Sequence, residues 1–402
     1  MRNLSFVEKL LDGFEVEWKP LGQLGEFIRG NGLQKKDFVD NGFPAIHYGQ
    51  IYTKYGLSAD KTFTFVSNEL AVKLKKAIKN DLLLATTSEN DEDVVKPLAW
   101  LGEQAAISGD MMLFRHSENV KYLAYCFQTN AFQEQKRKYI TGAKVRRVSS
   151  GDLAKVEVPI PCPDNPEKSL AIQAEIVRIL DAFTAMTAEL TAELTAELNL
   201  RKKQYNYYRE KLFASEHPSS KTATLSEILD MRAGKHIKAK DISAIKNTEH
   251  KYTCFGGNGS RGFVQEYSHE GDYALIGRQG ALCGNVKRAK GKLYATEHAV
   301  VCTPKEEIDI DWAFHMLTFM NLNQYKSQSA QPGLAVGNLA NLTIIVPPIS
   351  EQKKIAKILN QFDTLTTSLQ EGLPREIELR QKQYEYYRDL LLSFPKSTEG
   401  AV

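Results

Sequence analysis

The sequence predicts a mixed α/β (α+β) fold: two globular domains separated by two long antiparallel helices that form an intramolecular coiled coil. Residues 173–213 recur without a gap at 352–392, and 18 of these 41 positions are identical. Within both copies, apolar residues recur every three or four positions, which is typical of a long amphipathic helix. A short β-branched run ended by proline precedes each copy, at 151–161 and 337–347. These observations predict a pseudo-two-fold internal repeat.

The apolar positions form one seam along each helix. In the first copy the seam consists of Ile176, Ile179, Phe183, Met186, Leu190, Leu194 and Leu198, and adding 179 gives the seam of the second copy. The tandem TAEL sequence at 187–198 has a pure four-residue spacing, which locally unwinds a coiled coil. Gly372 and Pro374 stand at the equivalent place in the second copy and predict a kink or a brief break. Because each seam is apolar on one side only, the other helix is its nearest partner.

The repeat also predicts the domain boundaries. The sequence LGQLGEF at 21–27 resembles LSEILDM at 225–231, so the two domains begin alike as well as end alike. Composition and repeat together predict an N-terminal domain at 1–165, a first spacer helix at 166–215, a C-terminal domain at 216–348, a second spacer helix at 349–396 and a tail at 397–402. Between the repeated segments the two domains diverge, which favours two different ligands or two parts of one asymmetric ligand.

Composition narrows the class of protein. The net charge is +3 and the apolar fraction is 42%, as in globular proteins with real cores. The five cysteines are widely spaced without a C-x-x-C pair, so neither a disulfide framework nor a zinc ribbon is predicted. No run approaches the roughly 18 apolar residues of a membrane helix, and the N-terminus lacks the apolar core of a signal peptide. We therefore expect a cytoplasmic protein without a membrane partner.

Two basic clusters stand out against this nearly neutral background. The first lies at 136–147 and the second at 278–292, and neither contains an acidic residue. A single basic run is often no more than a solvated face. One in each half of a repeated chain fits a pair of anion-binding surfaces better.

The sequence FGGNGSRG at 255–262 matches glycine patterns used for methyl-donor or dinucleotide binding. Those patterns require a helix after the glycines, whereas FVQEY follows here and predicts a strand. The chain also lacks a P-loop and the Asn-Pro-Pro-aromatic or Asp-Pro-Pro-aromatic motif of adenine methyltransferases. We interpret 256–262 as a tight turn that approaches a DNA backbone, and we predict no cofactor and no catalysis for this chain.

The combined pattern resembles the specificity subunits of type I restriction–modification enzymes, in particular a subgroup with TAEL repeats. The resemblance rests on the two proline-ended strands, the two IL-x-x-F helices, the TAEL tandem and the endings QYNYYR and QYEYYR. It covers essentially the whole chain. It implies two target-recognition domains that each read half of a bipartite, asymmetric site in double-stranded DNA, with the helices setting the spacer. It further implies two methyltransferase subunits that use S-adenosylmethionine, and motor–nuclease subunits that use ATP and Mg²⁺.

Candidate base contacts follow from the chemistry of base edges. Arginine or lysine pairs with the edge of guanine, and asparagine or glutamine pairs with that of adenine. In the second domain the candidates are Arg278, Gln279, Asn258 and Arg261. For His298 a structural hydrogen bond is the better interpretation. The neighbouring Lys287, Arg288, Lys290 and Lys292 are candidate phosphate contacts.

In the first domain, the loop LLATTSEN at 83–90 corresponds to the loop of Arg278, so Thr86 and Thr87 are its base candidates. Its phosphate candidates are the basic residues of 136–147, namely Lys136, Arg137, Lys138, Lys144, Arg146 and Arg147. The ends of the two helices are candidate subunit interfaces, because they repeat aromatic and arginine side chains. These are Tyr205, Tyr208, Arg209, Tyr384, Tyr387 and Arg388. The alternative, that these side chains complete the core, is equally consistent with the sequence.

Three other classes of protein fit the sequence less well. A methyltransferase with a fused recognition domain requires a catalytic motif that the sequence lacks. A coiled-coil adaptor that binds only proteins would show no salt-sensitive DNA binding in its complex. A transcriptional repressor is disfavoured because no helix-turn-helix pattern stands out.

Overall fold

The computed structural model describes residues 11, 13–215, 217–280, 282–328, 332–368 and 371–394. Contacts divide the chain into two compact units. Unit 1 contains residues 1–191 and 378–402, and unit 2 contains residues 192–377. The tail predicted at 397–402 lies outside the described residues. The unit division cuts through the spacer helices rather than at their ends, and the domain boundaries drawn from the sequence stay a prediction.

Unit 1 is built on short strands. They are β1 (Val16–Pro20), β2 (Gly25–Arg29), β3 (Phe38–Val39), β4 (Phe43–Ile46), β5 (Ser58–Ala59), β6 (Thr64–Val66), β7 (Lys76–Ala77), β8 (Leu82–Ala85), β9 (Thr87–Ser88), β10 (Lys96–Trp100), β11 (Ala105–Ile107), β12 (Met111–His116), β13 (Arg146–Arg147) and β14 (Glu157–Pro161). Two mixed five-stranded sheets have the orders β2-β12-β8-β10-β5 and β3-β6-β4-β11-β7, and two strand pairs, β1-β14 and β13-β9, flank them.

The helices of unit 1 before the first spacer helix are short. They are α1 (Leu21–Leu24), α2 (Tyr48–Thr53), α3 (Asn68–Lys73), α4 (Val120–Cys126), α5 (Asn130–Arg137) and α6 (Ser150–Leu153). Side chains cap most of them; for example, Ser67 accepts from the N–H of Leu70, Asn119 from that of Tyr122, and Thr129 from that of Phe132. The core between α4 and its sheet is fully buried at Phe114 and Tyr122.

Helix α7 (Pro166–Ala214) is 49 residues long and unbroken. It passes from unit 1 into unit 2 within the TAEL tandem. Unit 2 continues with β15 (Lys221–Thr224), α8 (Leu225–Ile228), β16 (Leu229–Ala233), β17 (Tyr252–Gly256), β18 (Gly259–Val264), β19 (His269–Gly277), β20 (Val286–Ala295), β21 (Ala299–Pro304), α9 (Ile310–Phe319), α10 (Val336–Ala340), β22 (Thr343–Val346) and α11 (Ile349–Thr367). Its main sheet has the order β16-β21-β19-β20-β17-β18, and β15 pairs with β22.

The second spacer helix is interrupted. Helix α11 ends at Thr367, and α12 (Leu373–Leu392) carries the chain back into unit 1. The carbonyl oxygen of Gly372 accepts from the N–H groups of Arg375 and Glu376, so Pro374 lies in the first turn of α12, where its missing N–H is not needed. The expected interruption is therefore present as a break, and the proline begins a helix rather than kinking one.

The repeat predicted from the sequence is present in the contacts. The pair β1-β14 and the pair β15-β22 occupy equivalent places, and α1 and α8 follow their first strands. The N–H of Leu21 donates to the carbonyl oxygen of Val156 at 2.9 Å, and Leu225 donates to Leu342 at the same distance. The shift from Val156 to Leu342 is the 186 residues seen in the sequence. The equivalent positions thus make the same turn in both units.

The two spacer helices contact each other inside each unit. In unit 1, Thr184 lies 3.0 Å from the hydroxyl of Tyr384, and the rings of Phe183 and Tyr387 are 6.0 Å apart. The second partner number rises as the first falls, so the pair is antiparallel. In unit 2, Tyr208 of α7 stacks on Phe362 of α11 at 5.5 Å. The predicted intramolecular pairing of the helices is confirmed, although Met186 and Leu190 of the seam remain 59% and 37% exposed.

All five cysteines are buried and unpaired. Within the described ranges, no helix combines the length and apolarity needed to cross a membrane.

Because the ring nitrogens of His116 are buried, we expect the free energy of unfolding of unit 1 to fall in acid. Burial lowers the pKa of His116 to about 4, against the smaller opposing effects of the Asp81 charge and a backbone hydrogen bond at Glu118. Between pH 6.5 and about pH 4 the unfolded chain binds a proton that the folded chain excludes, so the free energy of unfolding falls as the pH falls. At pH 5 this loss amounts to about 2 kcal/mol for this one side chain.

The substitution His116→Leu is expected to abolish that part of the pH dependence. The measurement is urea unfolding at pH 7.5 and pH 5 in a Trp312→Phe background, where the fluorescence comes from Trp18 and Trp100 of unit 1. An equal loss of stability on acidification with and without His116 would contradict the assignment.

Candidate nucleic-acid interface

In unit 2, three loop segments meet beside the six-stranded sheet. These recognition loops of unit 2 are the hairpin tip at 257–261, the loop at 278–280 and 282–285, and the turn at 296–298. The N–H of Arg278 donates to the carbonyl oxygen of His298 at 2.9 Å, and the amide nitrogen of Asn285 donates to Asn258 Oδ1 at 2.8 Å. A Cβ at Gly277 would lie 1.7 Å from the carbonyl oxygen of Gly257, so only glycine permits this approach.

The structure brings together the four base candidates of unit 2. Gln279, Asn258 and Arg261 are exposed, and Arg278 is half-buried at the base of its loop. The Nε of Arg278 is buried and makes no hydrogen bond within the described part of the chain. The backbone of Arg278 is held on both sides, because its carbonyl oxygen accepts from the N–H of Leu334 at 2.8 Å. A guanidinium on a fixed backbone, beside exposed amides, suits readout of base edges.

The glycine motif at 255–262 forms the hairpin between β17 and β18, as the strand predicted after it requires. Gly259 has φ +105°, a conformation open to glycine. Because a strand and not a helix follows, no helix N-terminus is available there for a pyrophosphate. His298 Nε2 lies 3.4 Å from a carboxylate oxygen of Glu297, while its Nδ1 is buried without a hydrogen-bond partner in the described part of the chain.

The phosphate candidates of unit 2 divide into two groups. Lys287, Lys290 and Lys292 are exposed on β20, and the ammonium of Lys292 lies 4.7 Å from the centre of the Tyr267 ring. Arg288 is a correction. Its side chain is 14% exposed and donates to Asp311 at 2.7 Å, and it also contacts Asp272 at 3.4 Å. A guanidinium whose donors are bound inside the unit does not contact phosphate.

In unit 1 the two threonine candidates require correction. Thr86 and Thr87 are 6% and 7% exposed. The hydroxyl of Thr86 donates to the carbonyl oxygen of Asp110 at 3.0 Å, and Thr87 lies in β9, paired with Arg147 of β13. The segment that the sequence aligned with the Arg278 loop is therefore largely taken up by β8 and β9, and both threonines are buried.

Lys136 also requires correction. Its side chain is fully buried, and its ammonium donates to the carbonyl oxygens of Glu92 and Val94, each at 2.9 Å. Burial lowers the pKa of Lys136 to about 8, against the opposing effect of Asp93 and its acidic neighbours. The lysine anchors the acidic loop at 89–93 to helix α5 and cannot reach DNA.

The other basic residues of the first cluster remain at the surface. Arg137, Lys138, Lys144 and Arg147 are exposed. Thr141 and Arg147 exchange two backbone hydrogen bonds of 2.9 Å, so Lys144 lies at the tip of a small hairpin. Arg146 is half-buried and ion-paired with Asp91 at 2.8 Å. The hairpin at 141–147 therefore presents exposed basic side chains at the surface of unit 1.

Sequence comparisons agree with this architecture. The family model of the type I restriction modification DNA specificity domain matches residues 15–200 and 219–379. The chain belongs to this family. The specificity subunit of the Escherichia coli type I restriction enzyme EcoprrI is 49% identical over 379 residues, covering 92% of this chain and 93% of the relative. That of Escherichia coli EcoR124I/EcoR124II is 36% identical and covers 98% of both chains.

Solved structures show the same fold. One is described by the phrase "structural basis underlying complex assembly and conformational transition of the type I R-M system". It matches with a TM-score of 0.64 at 16% identity and covers 94% of this chain and 97% of that one. The HsdS subunit from Thermoanaerobacter tengcongensis matches with a TM-score of 0.51 at 14% identity, covering 94% and 95%. The chain is a specificity subunit with two target-recognition domains and is not itself catalytic.

The helix ends of this specificity subunit mix buried and exposed side chains. Tyr205 and Arg388 are 9% and 8% exposed and belong to the cores, which corrects their assignment as subunit contacts. Arg209 lies over the ring of Tyr205 at 5.2 Å and is half-buried, as is Tyr384. The interface candidates that remain exposed are Tyr208 and Tyr387, at 37% and 41%.

Two further pairs of exposed side chains lie near the helix ends; the sequence already indicated the tyrosine pair, whereas the leucine pair was missed. Tyr207 and its repeat equivalent Tyr386 are 58% and 64% exposed, and Leu200 and Leu379 are 60% and 42% exposed. The signal was available, because both pairs are identical in the two copies of the repeat. Identical exposed apolar side chains on equivalent faces mark a surface that is presented twice.

Gln173 and Gln352 form a second missed pair, identical in the repeat. Both side chains are buried. Gln173 Oε1 accepts from the backbone N–H of Asn119 at the start of α4, at 2.9 Å, and Gln352 Oε1 accepts from that of Asp309 at the start of α9, at 2.8 Å. They fasten helices α4 and α9 to the spacer helices in the same way.

Proposed function

We propose that each target-recognition domain reads one half of a bipartite, asymmetric site in double-stranded DNA, and that the spacer helices set the distance between the half-sites. The main support for the proposal is a duplicated scaffold that carries two different target-recognition domains. The strand pairs, the turns after them and the buried glutamines are equivalent in the two units, whereas the main sheets differ in order and number of strands. A repeated scaffold that carries two different recognition domains fits an asymmetric DNA site.

In unit 2, Arg278, Gln279, Asn258 and Arg261 are the proposed base contacts, and Lys287, Lys290 and Lys292 the proposed phosphate contacts. In unit 1, the exposed hairpin supplies Lys144 and Arg147, with Arg137 and Lys138 beside it in sequence. Phosphate contacts position a protein on the duplex, and base contacts select the sequence. The denser supply of amide and guanidinium groups in unit 2 supports its assignment as a base reader.

We further propose that the exposed ends of the helices dock two copies of one methyltransferase subunit. Leu200, Tyr207 and Tyr208 in unit 2 have exposed counterparts in Leu379, Tyr386 and Tyr387 of unit 1. Two equivalent apolar surfaces accommodate the same partner twice. S-adenosylmethionine, and ATP with Mg²⁺ for a motor–nuclease subunit, are assigned to the partners, and DNA as the target places the complex in the cytoplasm.

The experiment that tests the proposal is reconstitution of methylation. The purified chain alone is expected to transfer no methyl group, because it supplies recognition only. Together with its methyltransferase subunit it is expected to methylate adenines in a motif of two short half-sites separated by unspecified bases, as read by sequencing of methylated genomic DNA. A single uninterrupted motif, or methyl transfer by the chain alone, would refute the proposal.

A further inference from the structure

A continuous line of hydrogen-bonded side chains joins the six-stranded sheet of unit 2 to its spacer helices. Arg288 of β20 donates through Nε to Asp311 of α9 at 2.7 Å. Asn360 of α11 donates to the other carboxylate oxygen of Asp311 at 3.0 Å. His315 of α9 bonds through Nε2 to Asn360 Oδ1 at 2.8 Å and through Nδ1 to the hydroxyl of Tyr205 on α7 at 3.0 Å. Four elements are linked by five side chains.

Every donor in this line has one acceptor. Because the amide nitrogen of Asn360 is directed at Asp311, its oxygen accepts from His315 Nε2–H, and His315 Nδ1 then accepts from Tyr205. Burial lowers the pKa of His315, which keeps the ring neutral as this arrangement requires. Burial favours the neutral acid of Asp311, but hydrogen bonds from Arg288 and Asn360 outweigh it and lower the pKa of that carboxyl.

Stability alone does not account for the line. On one side it packs against apolar residues, with Trp312 and Leu359 fully buried and Ile355 3% exposed, and on the other Asp311 and Asn360 line a cavity open to solvent. Well-packed apolar side chains in place of a buried ionic network are often at least as stabilising. Apolar faces, however, tolerate small rotations, whereas directional bonds between several elements are satisfied in one arrangement. The line therefore specifies the angle between the sheet and the helices.

Unit 1 has a polar joint at the equivalent place, with different chemistry. Asp181 stands where the repeat has Asn360, and it accepts from Tyr125 at 2.8 Å and from Lys121. Tyr384, the repeat equivalent of Tyr205, bonds to Thr184 at 3.0 Å, and Thr184 bonds to Tyr125 at 3.1 Å. In each unit, side-chain hydrogen bonds thus join one helix of the recognition domain, α4 or α9, to both spacer helices, although the residue types differ.

We propose that Asp311, His315 and Asn360 are positioning residues that hold the reading sheet of unit 2 at one angle on helices α7 and α11, so that the subunit accepts one spacer length. This inference rests on the proposed bipartite function. A sheet freed to rock on its helices still carries the recognition loops, so half-site preference persists. What is lost is the discrimination between spacers that differ by one base pair.

The test uses the reconstituted methyltransferase complex and duplexes with the native half-sites and spacers one base pair shorter, equal or one base pair longer. Asn360→Leu removes two bonds of the line. It is expected to raise methylation of the altered spacers, relative to the native spacer, by about tenfold, which corresponds to about 1.4 kcal/mol. Duplexes with a changed base in either half-site are expected to be rejected as before.

Gln361→Leu is the matched control, the same amide-to-aliphatic change on an exposed neighbour in α11, and its spacer profile should equal that of the wild type. Tyr205→Phe removes one hydroxyl and keeps the ring, so it provides a milder variant if Asn360→Leu fails to fold. An unchanged profile, or an equal loss on all three spacers, overturns the inference. A wild-type complex without a bipartite motif would instead refute the proposed function.

Discussion

Deletion of one TAEL unit, residues 187–190, is expected to shorten the recognised DNA spacer by one or two base pairs while both half-sites stay the same. Helix α7 is continuous through this segment, so losing four residues shortens it by about 6 Å and rotates one end by about 40° against the other. Base pairs rise about 3.4 Å each, which converts the shortening into one or two pairs. Methylation at the native spacer is expected to be lost.

Sequencing of methylated DNA from a strain that carries the deletion checks this result. Glu189→Gln in the same repeat is the control, because it changes a side chain and leaves the helix length alone. The length argument requires the half-site sequences to survive the deletion. An unaltered spacer would show that the helix does not measure distance.

Arg278→Ala is expected to remove recognition of one half-site and leave the other unchanged. A bidentate arginine–guanine contact discriminates by about 1–3 kcal/mol, which is about 5-fold to 150-fold in affinity. Arg278 qualifies because its backbone is fixed by Leu334 and His298, while its Nε lacks a partner among the described residues. The expected result is a methylated motif that is relaxed at one or more positions of a single half-site.

Lys287→Ala provides the contrast. Its exposed ammonium is a proposed phosphate contact, so its loss is expected to weaken binding to all sequences about equally and to lower the salt dependence. Competition binding of the complex to cognate and unrelated duplexes distinguishes the two cases. If Arg278→Ala lowers both affinities by the same factor, the arginine is a phosphate clamp and not a reader.

Local patterns were the reliable part of the sequence. Ile176 at the start of the predicted seam is buried, the proline-ended strands pair at equivalent places, and the glycines of 255–262 form a hairpin. Each of these follows from periodicity or from the backbone preferences of nearby residues. The predicted interruption at Gly372 and Pro374 belongs to the same group.

Predictions of exposure from charge and residue type were wrong where burial depends on contacts between residues far apart in sequence. Lys136 and Arg288 each lie in a basic run, yet both are held inside by partners more than 20 positions away in sequence, as the hydrogen bonds to Val94 and Asp311 show. Thr86 and Thr87 were aligned with Arg278 by position alone, but Thr86 bonds to Asp110 and Thr87 lies in a paired strand, so both are buried. The sequence cannot distinguish a solvated cation from a buried one, because burial depends on elements that meet only in the fold.

The sequence by itself determined that this protein carries one scaffold twice, with long helices and unlike heads, because helix periodicity and internal identity are properties of neighbouring residues. Only the tertiary structure decided which cations face solvent and how each head is fastened to its helices. Tyr205, His315 and Asn360 come from three separate stretches of chain, and their hydrogen bonds exist only once packing has brought α7, α9 and α11 together.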